Sequence, residues 1–136
     1  MRTQRSIVLL VIMSLFGLLG SCANQAELSG LSKNELAAVD DRTLCEAYHY
    51  GQAPNVVEEI KRRGLISRAR LKQIQSGKIN TGLHECAMFA AMGSPDRITA
   101  KTADDPAKIY IYKQGDRTIT LFSHDDRITD IRRNDH

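Results

Sequence analysis

The chain has 136 residues with a formal net charge of +3, 42% hydrophobic and 5% aromatic residues, three Cys and no Trp. That length suits one small domain with a single modest core and excludes two large ones. With so few aromatics, the core must be aliphatic.

Arg2 and Arg5 precede an apolar run from Ile7 to Leu19, broken only by Ser14 and Gly17, which ends in Leu19-Gly20-Ser21-Cys22. A helix over that run spans roughly 20 Å, short of the ~30 Å hydrocarbon core of a bilayer, so an export signal is expected in place of a spanning helix. Leu-Gly-Ser-Cys resembles the bacterial lipobox, in which cleavage just before the cysteine leaves that cysteine to carry a lipid. The resemblance implies a lipoprotein signal peptide over 1–21, a covalent lipid on Cys22 and no other cofactor. Ala23, where an Asp would signal retention, implies the outer membrane, periplasmic leaflet. Removal of 1–21 takes away two basic and no acidic residues, so the mature chain carries +1, with seventeen basic against sixteen acidic groups. Of the three cysteines, Cys45 and Cys86 then remain as an even pair in an oxidising compartment, where a disulfide is the default.

Residues 22–31 are short, small and polar, the composition of a flexible tether. Ser32-Lys33-Asn34-Glu35 has the form of a capping box and starts helical turns that restart or continue past Asp40-Asp41 to Tyr50, with Leu44, Cys45 and Tyr48 on one face. Pro54 and Gly64 bracket a second helix, with Ile60 on its buried side, and Ser67 and Gly77 bracket a third. Residues 32–79 thus read as a helical extension, one compact domain with residues 80–136.

The stretch from Gly82 to Asp96 organises the rest. Its helix runs from His84 to Met92, Gly93 and Ser94-Pro95 stop it, and Met88, Phe89 and Met92 form a stripe suited to lie on a sheet. After Pro95 the apolar period changes to two. Arg97 to Thr102 is a weak strand, Lys108 to Lys113 a strong one, and Gln114-Gly115-Asp116 a tight turn into Arg117–Phe122. Arg127 to Arg133 follows, its Ile128 and Ile131 breaking alternation as at a bulge or frayed edge. The fold class expected is therefore α+β, with short N-terminal helices and a central helix packed on a three- or four-stranded antiparallel meander. On the strong strand, Tyr110 and Tyr112 share one face, and Ile109 and Ile111 the other. The pattern leaves open which pair is covered.

Gly82, Leu83, Gly93, Ser94, Pro95, Tyr110, Tyr112, Leu121 and Phe122 carry a resemblance, over about residues 79–133, to the BamE (SmpA/OmlA) family of small outer-membrane lipoproteins. The sequence departs from that family at His84, where a Thr or Ser cap is usual, and in the extension over 32–78. The resemblance implies a lipid-anchored, non-enzymatic protein-binding module that assists an envelope protein assembly. The alternative is a lipoprotein inhibitor of a periplasmic or secreted enzyme. Tyr110 and Tyr112 are the candidate partner-binding pair, since interface cores favour aromatics.

Other constellations read more plainly. His84-Glu85-Cys86 holds the parts of a metal or thiol site, but adjacent helix residues diverge by about 100°, and no C-x-x-C or H-x-x-x-H spacing adds ligands. His124-Asp125-Asp126 reads as a turn. No G-x-S-x-G, P-loop or paired-carboxylate spacing appears, so no catalytic, cofactor or metal residue is expected. Lys61, Arg62, Arg63, Arg68, Arg70, Lys72 and Lys78 concentrate positive charge. In the periplasm this excludes nucleic acid and leaves a solvated helix face, or contact with anionic lipid or an acidic protein.

Overall fold

The computed structural model describes residues 25–135 apart from residue 103, and the expected signal peptide and Cys22 lie outside that range. Among the described residues, helices α1 (Gln25–Ser29), α2 (Lys33–Ala37), α3 (Asp41–Gly51), α4 (Pro54–Arg62), α5 (Arg68–Gln75) and α6 (Glu85–Met92) precede strands β1 (Arg97–Thr99), β2 (Ala107–Gln114), β3 (Arg117–His124) and β4 (Arg127–Asp135). The strands form one antiparallel sheet in the order β1-β2-β3-β4. This is the α+β arrangement expected, with the fourth strand present.

Local chemistry sets the helix starts. Ser32 and Glu35 close a reciprocal capping box at α2, the Glu35 carboxylate accepting from the Ser32 amide at 2.8 Å. These Ser32 hydrogen bonds hold Glu35 below the usual carboxylate range. Asp40 accepts from the Thr43 amide at 2.9 Å, so the chain restarts there as a separate helix. Pro54 opens α4, and Ser67 caps α5.

The expected tether is folded from Gln25 onward. α1 packs on α3 and α4, Leu28 is buried, and the Asn55 side-chain amide donates to the carbonyls of Leu28, Ser29 and Leu31 at 3.0, 3.2 and 3.1 Å. One buried leucine and one amide that satisfies the orphan carbonyls of a helix end are enough to dock a short polar segment.

Helix α6 is also more enclosed than its apolar stripe suggests. Cys86, Ala87, Met88, Phe89 and Ala90 are all buried, because α3 and α5 pack on one side of the helix while the sheet covers the other. Cys45 on α3 and Cys86 on α6 are joined by a disulfide, with Cα atoms 5.3 Å apart. Gly93 then ends α6 at φ +75, where a Cβ would stand 2.8 Å from both the His49 ring and the Tyr50 hydroxyl. Only glycine meets both demands.

The hairpin turns differ in chemistry. Gly115 takes the positive φ in the first, whereas Asp125 and Asp126 both adopt positive φ in the second, tolerable for Asp. Between β3 and β4 the register shifts at Phe122/Ser123: Phe122 faces Asp130 while Ser123 faces Ile128. The extra residue, Thr129, is the bulge anticipated from the broken alternation, and it lets Ile128 pack in the core while Ile131 also packs against it. Ahead of α6, the Gly82 amide donates to the Ile128 carbonyl at 2.7 Å and the Ile128 amide to the Leu83 carbonyl at 2.8 Å. The start of the central helix is thereby tied to β4.

Candidate functional site

The cross-strand register sorts side chains onto two faces. Tyr110 pairs with Leu121, and Leu121 with Ile131; Tyr112 pairs with Ile119. These residues face the helices. Tyr110 and Tyr112 are 2% and 4% exposed, so the sequence-based assignment of this pair to a partner-binding surface is corrected. The cause is polar as well as apolar. The Tyr112 hydroxyl donates to the Gly93 carbonyl at 3.0 Å, satisfying the last turn of α6, and the Tyr110 ring meets Phe89 edge-on at 5.4 Å. Burial, and next the Glu85 carboxylate, push the Tyr110 hydroxyl above the ordinary tyrosine range, and burial does the same for Tyr112.

Among the described residues no helix lies over the opposite face. There Ile109 pairs with Phe122 and Ile111 with Thr120, and beyond them Phe122 pairs with Asp130 and Thr120 with Arg132. On the far side β1 brings Arg97 beside Ile111 and Thr99 beside Ile109. Ile109, Ile111 and Phe122 are half-buried by their neighbours, and the Arg132 guanidinium lies over the Phe122 ring, 4.6 Å from its centroid. A small apolar centre is thus rimmed by Arg97, Lys113 and Arg132. At one end of this face a concavity of about 420 Å³ is lined by Thr99, Lys101, Asp105, Ile109 and Phe122. Its rim loop is held by Asp105, which accepts from the amides of Ala107 and Lys101 at 2.9 and 3.1 Å; these bonds hold its carboxyl below the usual range.

Between α6 and the sheet lies a polar cluster that the sequence pattern did not single out. Glu85, 7% exposed, accepts from the Ser123 hydroxyl and from Lys108 Nζ at 3.2 Å, and Lys108 also reaches Asp126 at 3.4 Å. Burial works against the Lys108 ammonium, yet Glu85 and Asp126 outweigh it and raise its pKa. The cluster pairs every charge it buries. The only sequence cue was a carboxylate sharing a helical row with Met88 and Phe89.

The structure separates His84-Glu85-Cys86 into three roles. His84 Nδ1 accepts from the Cys86 amide at 3.2 Å as the cap of α6, Glu85 faces the sheet, and Cys86 is in the disulfide. Among the described residues no group of three or more His, Cys, Asp or Glu is placed to hold a metal ion. Asp125 and Asp126 form a hairpin turn, as expected, while His124 is the last residue of β3.

The basic stretch divides as well. Arg63 leaves that surface: its guanidinium donates to Glu59 at 2.7 Å, to Asp41 at 2.6 Å, and to the carbonyls of Val39 and Leu36, each at 2.8 Å. It thereby caps α2 and binds it to α4. Arg62 pairs with the same Glu59, and together Arg62 and Arg63 hold that carboxyl down at about 2. Lys61, Arg68, Lys72 and Lys78 remain exposed.

Comparisons with protein-family models, with curated proteins and with solved structures find no match to the chain.

Proposed function

We propose that the chain is a lipid-anchored periplasmic protein-binding module, of the type the BamE-like pattern implies, that assists or stabilises an outer-membrane or envelope protein assembly without itself catalysing a reaction. The observation that carries this reading is the sheet face opposite α6, with Ile109, Ile111 and Phe122 at its centre and Arg97 and Arg132 at its rim. An apolar centre inside a charged rim is the anatomy of a protein interface, and the charged rim limits edge-on self-association. The lipobox at Leu19–Cys22 supports the anchor, and the residues Gly82, Leu83 and Gly93–Pro95 support the family type.

The test is site-specific photocrosslinking in cells that express the full chain. A crosslinker at Ile111 or Thr120 is expected to capture components of an envelope protein complex, and one at Glu58, on the helical side, is expected to capture none. Capture of a single hydrolase would replace the assembly role with the inhibitor role. Adducts at Glu58 but not on the sheet face would overturn the reading.

A further inference from the structure

On the helical side, away from the open sheet face, a pocket of about 340 Å³ is lined by residues that include Leu65, Ser67, Arg70, His84, Ala87 and Arg127. Three of these bring hydrogen-bond donors from three separate elements: Arg70 from α5, His84 from the cap of α6, and Arg127 from the start of β4. Among the described residues that line the pocket none is acidic. The nearest carboxylates in sequence are engaged elsewhere, since Glu85 accepts from Ser123 and Lys108, and Asp126 from Lys108.

Each cationic group is oriented without being neutralised. Arg127 Nη1 donates to the Gly82 carbonyl at 3.1 Å, and Arg70 Nη1 donates to the Gln73 side-chain oxygen at 3.1 Å. Both acceptors are uncharged, and a guanidinium has five N–H donors, so each keeps donors in hand. Among the described residues neither arginine has an acidic partner. His84 Nδ1 is an acceptor for the Cys86 amide, which leaves the proton of the neutral ring on Nε2 as a donor. Positive groups brought together with no counter-charge repel one another, and a bound anion removes that cost.

We propose that the pocket formed by Arg70, His84 and Arg127 binds a phosphomonoester group, carried by a small soluble ester or by a lipid headgroup. Two fixed positive charges match the near-dianion of a monoester at neutral pH, and paired guanidinium forks suit its oxygens. Leu65 and Ala87 give the pocket an apolar wall against which the esterified group can rest. The site is independent of the sheet-face reading and stands if that reading fails.

The experiment follows the Nε–Hε resonances of Arg70 and Arg127 and the ring of His84 in the isotope-labelled full chain. The probes are inorganic phosphate, glycerol 3-phosphate, and nanodiscs of phosphatidylcholine with or without phosphatidic acid. Saturable shifts of all three side chains with glycerol 3-phosphate, with or without inorganic phosphate, identify a soluble ligand. Shifts produced only by nanodiscs with phosphatidic acid identify a lipid headgroup. Arg70→Gln and Arg127→Gln should each weaken binding by about tenfold or more, the effect of losing one charge-assisted hydrogen bond. Lys61→Gln, on the exposed basic surface, should leave it unchanged. Should either arginine variant unfold, His84→Leu with the other arginine variant carries the comparison. No shift with any probe, or shifts that never saturate and persist unchanged in the arginine variants, would overturn the proposal.

Discussion

The two faces of strand β2 have almost the same apolar content and opposite fates. On one, Tyr110 and Tyr112 are enclosed by α6; on the other, Ile109 and Ile111 are left to their sheet neighbours and to solvent. Hydrophobicity alone would not choose between them, since isoleucine is no less apolar than tyrosine. The choice follows from what lies behind the sheet. The end of α6 presents the Gly93 carbonyl, and its start presents Glu85. The Tyr112 hydroxyl reaches the first of these, whereas an isoleucine there would leave the Gly93 carbonyl buried without its side-chain donor. A polar tip on a large ring therefore marks the inner face here, and the aliphatic pair marks the outer one.

The cross-link behind the inner face gives the largest expected effect. Replacing both Cys45 and Cys86 by Ala releases a loop of 41 residues, which should cost about 4 kcal/mol on the chain-entropy model. Chemical denaturation of the oxidised chain and the double variant measures it; equal midpoints would mean the helical layer holds α6 without the bond. Next comes the contrast between faces. Tyr110→Ala should destabilise by about 3 kcal/mol through cavity formation and a broken polar contact, whereas Ile111→Ala should cost about 1 kcal/mol or less. Comparable losses in thermal melts would show that the two faces are not energetically distinct.

The smallest effect concerns pH and is read in the helical layer. Glu59 is held at about 2, against an ordinary 4.5, by hydrogen bonds from Arg62 and Arg63. A depressed carboxyl contributes stability that is complete above its unfolded value and is lost as pH falls towards the folded one. The acid limb between about 4.5 and about 2 should therefore flatten in Glu59→Gln, as read by unfolding midpoints at successive pH values.

Much of this architecture was legible in the sequence because it depends on neighbours along the chain. Gly93 followed by Ser94-Pro95 announces a helix stop, Gly115 a tight turn, and the spacing of Ile128 and Ile131 a bulge or a frayed edge, of which the bulge is present. The Cys45 and Cys86 pairing followed from parity. What escaped depends on contacts distant in sequence. The side of β2 that would be covered was decided by Gly93 and Glu85, and the docking of α1 by Asn55, more than twenty residues away. Arg63 reads as one of a basic run, yet its acceptors are the carbonyls at the end of α2 and the carboxylates of Asp41 and Glu59, so its charge serves the interior. The candidate face was legible as one of two alternatives, and the pocket around Arg70, His84 and Arg127 was not legible at all, since its three donors come from separate elements.

The bond between Cys45 and Cys86 also sets how the molecule bears a mechanical load. Tension applied between the two ends of the chain enters α3, crosses directly to α6 at the sulfur atoms, and continues into the sheet. Residues 46–85, with all of α4 and α5, form a closed loop outside that line of force. The oxidised chain is consequently shorter at full stretch by about 140 Å, taking roughly 3.4 Å for each residue in the loop. For a domain held by one end, the helices in that loop remain unloaded while the helical start and the sheet take up the pull.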